Sequence, residues 1–271
     1  MGFVTIKPPV PLSNLIETIW DWDCPPVAHR FDRMLPVANA SLIINLAEDE
    51  TRVYDDSPGL PCRRFAGAAL DAPSHRSFVI DTAEQVKVMG VVFRCGGAAA
   101  FFRERMDVLV NEHVDLDALV GARASQLRER LIDAPTPAAR IARLQRWLLD
   151  IASGTAIPAA IAHAAALLEQ VPSLQRMTAV SRESGLSARR FGALFREHVG
   201  MSPKRYARLQ RFRTVVAHAH AHRHVDWSSV AADCGFYDQP HLVREFREFS
   251  GMTPTEYLAM RGEYVNHVPL A

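Results

Sequence analysis

The side chains of this chain best suited to chemistry on another molecule are cationic, imidazole and amide groups clustered in its C-terminal third: Arg189, Arg190 and Arg196, then Gln239, His241, Arg244 and Arg247. Arginine pairs two donors with guanine O6 and N7, and glutamine bridges adenine N6 and N7. Further Arg and Lys neutralise phosphate. The chemistry they suit is the reading of a DNA groove. A solvated helix face would show such residues once, whereas here the pattern is written twice.

The segment MTAVSRESGLSARRFGALFREHVGMSPKRY (177–206) recurs as WSSVAADCGFYDQPHLVREFREFSGMTPTEY (227–257). Val180, Gly185 and Leu186 match Val230, Gly235 and Phe236 at an offset of 50 residues. Phe195, Gly200, Met201, Pro203 and Tyr206 match Phe246, Gly251, Met252, Pro254 and Tyr257 at 51, so the second copy carries one extra residue in its turn. Repetition of one such unit is the signature of a duplicated supersecondary element.

Each copy predicts two short helices joined by a tight turn. Gly185 and Gly235 stand where the first helix ends and a positive φ is needed. Ser187 and Asp238 stand at the start of the second helix, where a side-chain oxygen caps unpaired backbone N–H groups. Phe191, Leu194 and Phe195 in one copy, and Leu242, Phe246 and Phe249 in the other, lie at helical spacing and form the buried face. The opposite faces present the groove-reading residues. Between the copies, PKRYARLQRFRTVVAHAHAH (203–222) has helical apolar spacing through Tyr206, Leu209, Phe212 and Val216. It predicts a connecting helix of roughly 30 Å, close to one turn of B-DNA.

With S-x-x-x-G-L-S and A-x-x-C-G-F, followed by G-M-S-P and G-M-T-P, residues from about 157 to 260 resemble the DNA-binding domain of the AraC/XylS family of transcriptional regulators. The resemblance implies seven helices, with one recognition helix of each unit in the major groove. It places base reading on Arg189, Gly192 and Ala193 in the first unit, and on Gln239, His241 and Arg244 in the second. Gly192 and Ala193 have no polar reach, so base contacts are expected from Arg189, Gln239, His241 and Arg244. Phosphate contacts are expected from Arg190, Arg196, Lys204, Arg205 and Arg247. The second unit then specifies the site and the first mainly anchors.

The elements ahead of this repeat are of another kind. SLIINLA (41–47), RSFVID (76–81) and QVKVMGVVFR (85–94) are short apolar runs between turn-rich stretches such as DDSPGLP, and predict a β sheet or barrel. After Gly96-Gly97, a strand-to-helix turn, AAAFFRERM, LDALVGARASQLRERLID and PAARIARLQRWLLDIAS carry helical spacing. Helices are expected from there to the end, with a domain boundary in SGTAIP (153–158). The fold class is thus α+β and multidomain. A β-rich, cupin-like regulatory domain (1–110) precedes a helical connector (111–153), whose leucines could form a dimer interface or pack within the chain. An all-α double helix-turn-helix domain follows (154–262). The N-terminal half also resembles, more loosely, the sensory domains of such regulators in RMLPVANASLIINL and FRCGGAAAFF.

Composition agrees. The 271 residues are 48% hydrophobic and 23% charged, enough for two buried cores. The net charge of +1 conceals 14 Lys and Arg against 9 Asp and Glu from 171 onward, and 17 against 21 before it. That asymmetry is expected where one domain alone meets phosphate. No apolar stretch is long enough for a transmembrane helix and no signal-peptide pattern opens the chain, so a cytoplasmic protein is expected.

Three other chemistries have weaker support in the residues. His218, His220, His222 and His224 form a histidine run, but no Cys or carboxylate follows at ligand spacing, and no metal or other cofactor is expected. Cys24, Cys62 and Cys95, with arginines beside the last two, suggest a thiol sensor, which together with a metal sensor is the alternative reading; the four cysteines, Cys234 included, are expected to be reduced, inert thiols. His29, Asp32, Asp71, His75 and Asp81 have no spacing that marks nucleophile, base and orienting group, so no enzyme is expected. The expected partners are double-stranded DNA and a small-molecule effector, with RNA polymerase and a second copy of the chain as further candidates and no membrane.

Overall fold

The computed structural model describes residues 2–55, 62–153, 157–170 and 174–270. Most of DDSPGLP and the centre of SGTAIP, with the boundary expected there, lie outside the described residues. The N-terminal part consists of β1 (Gly2–Ile6), β2 (Ile16–Asp23), β3 (Phe31–Met34), β4 (Ser41–Asn45), β5 (Glu50–Tyr54), β6 (Arg63–Ala66), β7 (Ala68–Asp71), β8 (Phe78–Asp81) and β9 (Lys87–Phe93). Then come α1 (Met106–Leu109), β10 (His113–Asp115), α2 (Leu116–Val120), α3 (Arg123–Ile132) and α4 (Pro137–Ile151).

The strands form two antiparallel sheets. One runs β1-β2-β9-β4-β7-β10, and the other has β3, β8, β5 and β6 in adjacent places. The period of two divides the larger sheet between two neighbours. Leu42, Ile44, Met89, Val91 and Phe93 join Leu116, Leu127, Leu131, Leu144 and Leu148 of the helices in one core. Ile43, between the first two, lines the space facing the second sheet. Covered on both sides, β9 is buried over most of its length, which explains its nearly continuous apolar run. Gly90 lies opposite Trp20, and a Cβ there would stand 2.5 Å from the indole and 2.7 Å from the carbonyl of Leu42. The glycine lets the indole lie across the sheet.

The connector helices are stapled onto this sheet. Thr136 caps α4 and Pro137 opens it. Arg140 of α4 donates to both oxygens of Asp21 at 2.5 and 2.8 Å, and both residues are fully buried. Five of the seven connector leucines enter the chain's own core, whereas Leu149 is exposed. The segment AAAFFRERM corrects the helical expectation: it holds only a 3-10 turn over Gly97–Ala100 and the start of α1. Phe101 and Phe102 are consecutive and both pack on Phe93, at 5.3 and 6.0 Å, so their apolar spacing records burial on two sides rather than helical periodicity.

The C-terminal part has α5 (Ala159–Gln170), α6 (Leu174–Glu183), α7 (Ala188–Val199), α8 (Pro203–Ala221), α9 (Trp227–Asp233), α10 (Gln239–Ser250) and α11 (Pro254–Met260). The motifs G-M-S-P and G-M-T-P act as joints. Gly200 and Gly251 end α7 and α10 at φ +87° and +74°, and Ser202 and Thr253 cap the following helices, each opened by a proline. The expectation of helices to the end is corrected too: β11 (His267–Leu270) returns to the β-rich part and pairs with β3. It is an edge strand, the place where Pro269 can forgo a ladder N–H. Four residues with a proline carry no strand signal of their own.

The two parts are in contact. Leu35, Ala38 and Cys95 of the β-rich part belong to the helical core, and a Cβ on Gly200 would stand 3.1 Å from the carbonyl of Met106 in α1.

Candidate nucleic-acid interface

The two helix-turn-helix units are α6 with α7, and α9 with α10. Their turns hold Gly185 and Gly235 at φ +69° and +73°. Ser187 Oγ accepts from the N–H of Arg190 at 3.3 Å, and Asp238 Oδ1 accepts from the N–H of His241 at 2.7 Å. Phe191 and Phe195 pack inward with Tyr206, while Phe246 and Phe249 pack on Phe212 of α8 at 4.9 and 5.3 Å. Burying these rings turns the opposite face of each helix outward.

On α7, Arg189, Arg190 and Arg196 are exposed, with Gly192 and Ala193 half-buried between them. On α10, Gln239, Arg244 and Arg247 are exposed. Two of the expected contact residues are engaged inside the protein. His241 is half-buried, with Nδ1 accepting from the N–H of Tyr237 at 3.3 Å and Nε2 3.5 Å from Glu245. Arg205 is half-buried between His75 and Glu248, while Lys204 beside it is exposed.

Two features escaped the reading of the sequence. Tyr237, in the turn before α10, is 92% exposed, an unusual setting for so large a ring. Glu245 is buried between α10 and α8, beside His241, and accepts from Arg208 at 2.9 Å and from Arg211 at 2.9 and 3.1 Å. This carboxylate braces the second recognition helix against α8. The signal was the charge of α8 itself, whose Arg208 and Arg211 recur at i and i+3 and so share a face.

The first recognition helix meets a counter-charge. Arg105 hydrogen-bonds Asp107 of α1 and holds its carboxyl below the usual range, with Arg196 adding to the effect. Arg196 thus stands near a carboxylate of the β-rich part on one side and solvent on the other.

Elsewhere the chemistry is quieter. His218 and His222 stack at 4.3 Å, and among the described residues no group of three or more His, Cys, Asp or Glu is placed to hold a metal. Burial pushes the Cys95 thiol up to about 12, which keeps it protonated, while Cys24 and Cys62 are half-buried free thiols. No helix among the described residues is long and apolar enough to cross a membrane.

A cleft of about 300 Å³ opens beside the β-rich part. Phe3, Trp20 and Trp22 line one side, and Tyr264 and His267, from the segment after α11, line another. A smaller cavity of about 120 Å³ lies between the two sheets, and Trp20, Ile80, Gln85 and His267 line both.

Residues 180–260 match the family model of a helix-turn-helix domain, and residues 4–115 match that of a domain of unknown function, DUF6597. No curated protein matches the chain. Among solved structures, ToxT from Vibrio cholerae in a 1.65 Å P21 form is similar over 97% of this chain and 100% of its own, at 10% identity and a TM-score of 0.48. Wild-type ToxT from V. cholerae strain SCE256 bound to an unsaturated fatty acid is similar over 95% of each chain, at 11% identity and a TM-score of 0.46.

Proposed function

This chain carries an AraC-type helix-turn-helix domain behind a separate β-rich domain, and we propose on that premise that it is a sequence-specific transcriptional regulator reading two adjacent major-groove segments. The observation that carries the reading is the pairing of α7 and α10, each with a buried aromatic face and an exposed cationic one, across the 19 residues of α8. At 1.5 Å per residue α8 spans about 28 Å, near the 34–36 Å between successive major grooves on one DNA face.

Within this reading Gln239 and Arg244 read bases, with His241 joining when the groove draws it from Glu245. Arg189 supplies the base contact of the first unit. Arg190, Arg196, Lys204 and Arg247 meet phosphate, and Arg205 does so on release from His75. The working division is a regulatory domain (1–110), a connector (111–153) and the DNA-binding domain (154–262). Of the two routes of control, effector binding and dimerisation, the cleft of aromatic residues favours the effector, since most connector leucines are spent in the chain's own core. The assignment gives no residue a catalytic role.

A genome-wide footprint of the protein, taken with and without candidate metabolites, tests the proposal. Protected sites with two half-elements about one helical turn apart are the expected result. Binding that tracks only salt and total DNA, with no preferred sites, would overturn it.

A further inference from the structure

The cleft and the inner cavity adjoin, sharing Trp20, Ile80, Gln85 and His267, and their charge says what would fill them. Neither is lined by a lysine or an arginine among the described residues, whereas Asp32 and Glu263 line the outer part and Asp71 the inner part. A carboxylate or phosphate brought here would lose its hydration and face acids with no lysine or arginine to pair with. Asp32 accepts from His29 Nε2 at 2.7 Å and from His267 Nδ1 at 3.0 Å. An imidazole that donates through one nitrogen in its neutral form leaves the other as an acceptor. The hydroxyl of Thr82, a nearby donor, is already given to the carbonyls of His29 and Arg30. The carboxylates and imidazoles of the cleft thus offer acceptors, beside the donor groups of Gln85 and Tyr264.

The inner cavity repeats the theme. The His113 side chain is 7% exposed, neither ring nitrogen has a hydrogen-bond partner, and it lies 3.4 Å from Asp71, whose carboxyl burial pushes up. This is an under-satisfied polar pair in a space whose other lining is mostly apolar, with Phe65, Phe78 and Ile43 among it and Thr51, Gln85 and His267 as its other polar residues. At the mouth, the rings of Phe3, Trp22 and Tyr264 stand edge to face in a chain at 5.7 and 5.9 Å. Aromatic rings attract cations through their quadrupoles, most strongly when the cation is desolvated.

We propose that this two-part cavity binds an organic cation, an amine on an aromatic or similarly apolar body, with the body among the rings and the ammonium toward the acceptors. The ligand class rests on the effector reading above. A route toward the helical part is also built in: Tyr257 of α11 donates to the carbonyl of Val265 and packs on Phe246 of α10 at 5.8 Å, and Asn266 accepts from the N–H of Leu35, so the wall of the cleft is tied through α11 to the second helix-turn-helix unit.

Quenching of tryptophan fluorescence in the full chain tests the assignment, with three probes that share one body: 2-phenylethylamine, 2-phenylethanol and 3-phenylpropionate. The amine is expected to bind about tenfold tighter than the carboxylate, a difference of about 1.4 kcal/mol. Asp71→Asn should bring the amine and the alcohol toward parity. Phe3→Ala, at an exposed rim residue, should weaken all three probes alike. A carboxylate that binds as tightly as the amine overturns the proposal. So does the absence of saturable quenching by the amine, or an amine affinity that neither variant changes. The footprint with each probe separates the two readings. Amine binding that leaves the footprint unchanged upholds the site and refutes the effector reading, whereas a footprint that responds to the carboxylate alone upholds the effector reading and refutes the cation.

Discussion

Arg205, in the first turn of α8, donates from its guanidinium to Nδ1 of His75 in the β-rich part across 3.1 Å. The bond joins the helix that separates the two recognition elements to the domain that would sense a ligand. A residue suited to phosphate is thereby held at the domain contact, and release of that contact would return it to DNA.

This bond makes the domain contact sensitive to acid. Burial first, and Arg205 second, push the His75 pKa below its ordinary 6.5, and burial does the same to His198 of α7. Between the lowered value and about 6.5 the unfolded chain binds more protons than the folded one, so stability rises with pH. The contribution is present above about 6.5 and lost as pH falls below it. Thermal unfolding followed from about pH 7 to about pH 5.5 should show a falling midpoint, with a shallower fall in His75→Gln. Equal slopes for the two proteins would show that His75 carries none of it.

Arg244 and Arg196, both exposed, are the pair on which the proposed division between base reading and anchoring is tested. Arg244→Ala should weaken binding to the preferred site by about 1–3 kcal/mol and relax discrimination at one base pair. Arg196→Ala should weaken all sequences alike and flatten the salt dependence. Titration of preferred and scrambled duplexes at several salt concentrations checks both, and unchanged binding in the two variants would remove the groove-docking arrangement.

Glu245 should matter without touching DNA. Glu245→Ala strips Arg208 and Arg211 of their shared acceptor, at a cost of about 1.5–3 kcal/mol for a charged hydrogen-bonded group. Urea denaturation reads that loss. Site selection should show blurred preference at the bases under α10, because the helix loses its brace on α8.

Asp21 and Arg140 form the strongest test of the connector's place. Arg140→Ala leaves the Asp21 carboxylate buried without its partner and should destabilise the chain by about 3–5 kcal/mol. Replacing both by apolar residues of similar volume should recover much of the loss. A surface-like cost below about 1 kcal/mol for the single variant would mean that α4 does not seal this sheet.

The duplicated units were legible because their grammar is local: a glycine turn, a cap, and apolar residues at helical spacing each act within a few positions. The β-rich nature of the first hundred residues was legible for the same reason. Segments that answer to distant partners were not. AAAFFRERM reads as a helix because Phe101 and Phe102 are spaced like one, yet their burial is set by Phe93. β11 is named by the free edge of β3, more than two hundred residues away in the chain.

By itself the sequence determined the type of C-terminal domain, since two copies of a local motif are enough to specify two helix-turn-helix units and the rod between them. Only the tertiary structure decided which charges are free to act. Arg244 and Arg247 stand in solvent, while Arg205, Arg208 and Arg211 of similar chemistry are bound to His75, Glu248 and Glu245. It also brought the segment after α11 onto the cleft of the β-rich part. A side chain's type is written in the sequence, but its availability depends on partners that only folding brings within hydrogen-bond reach.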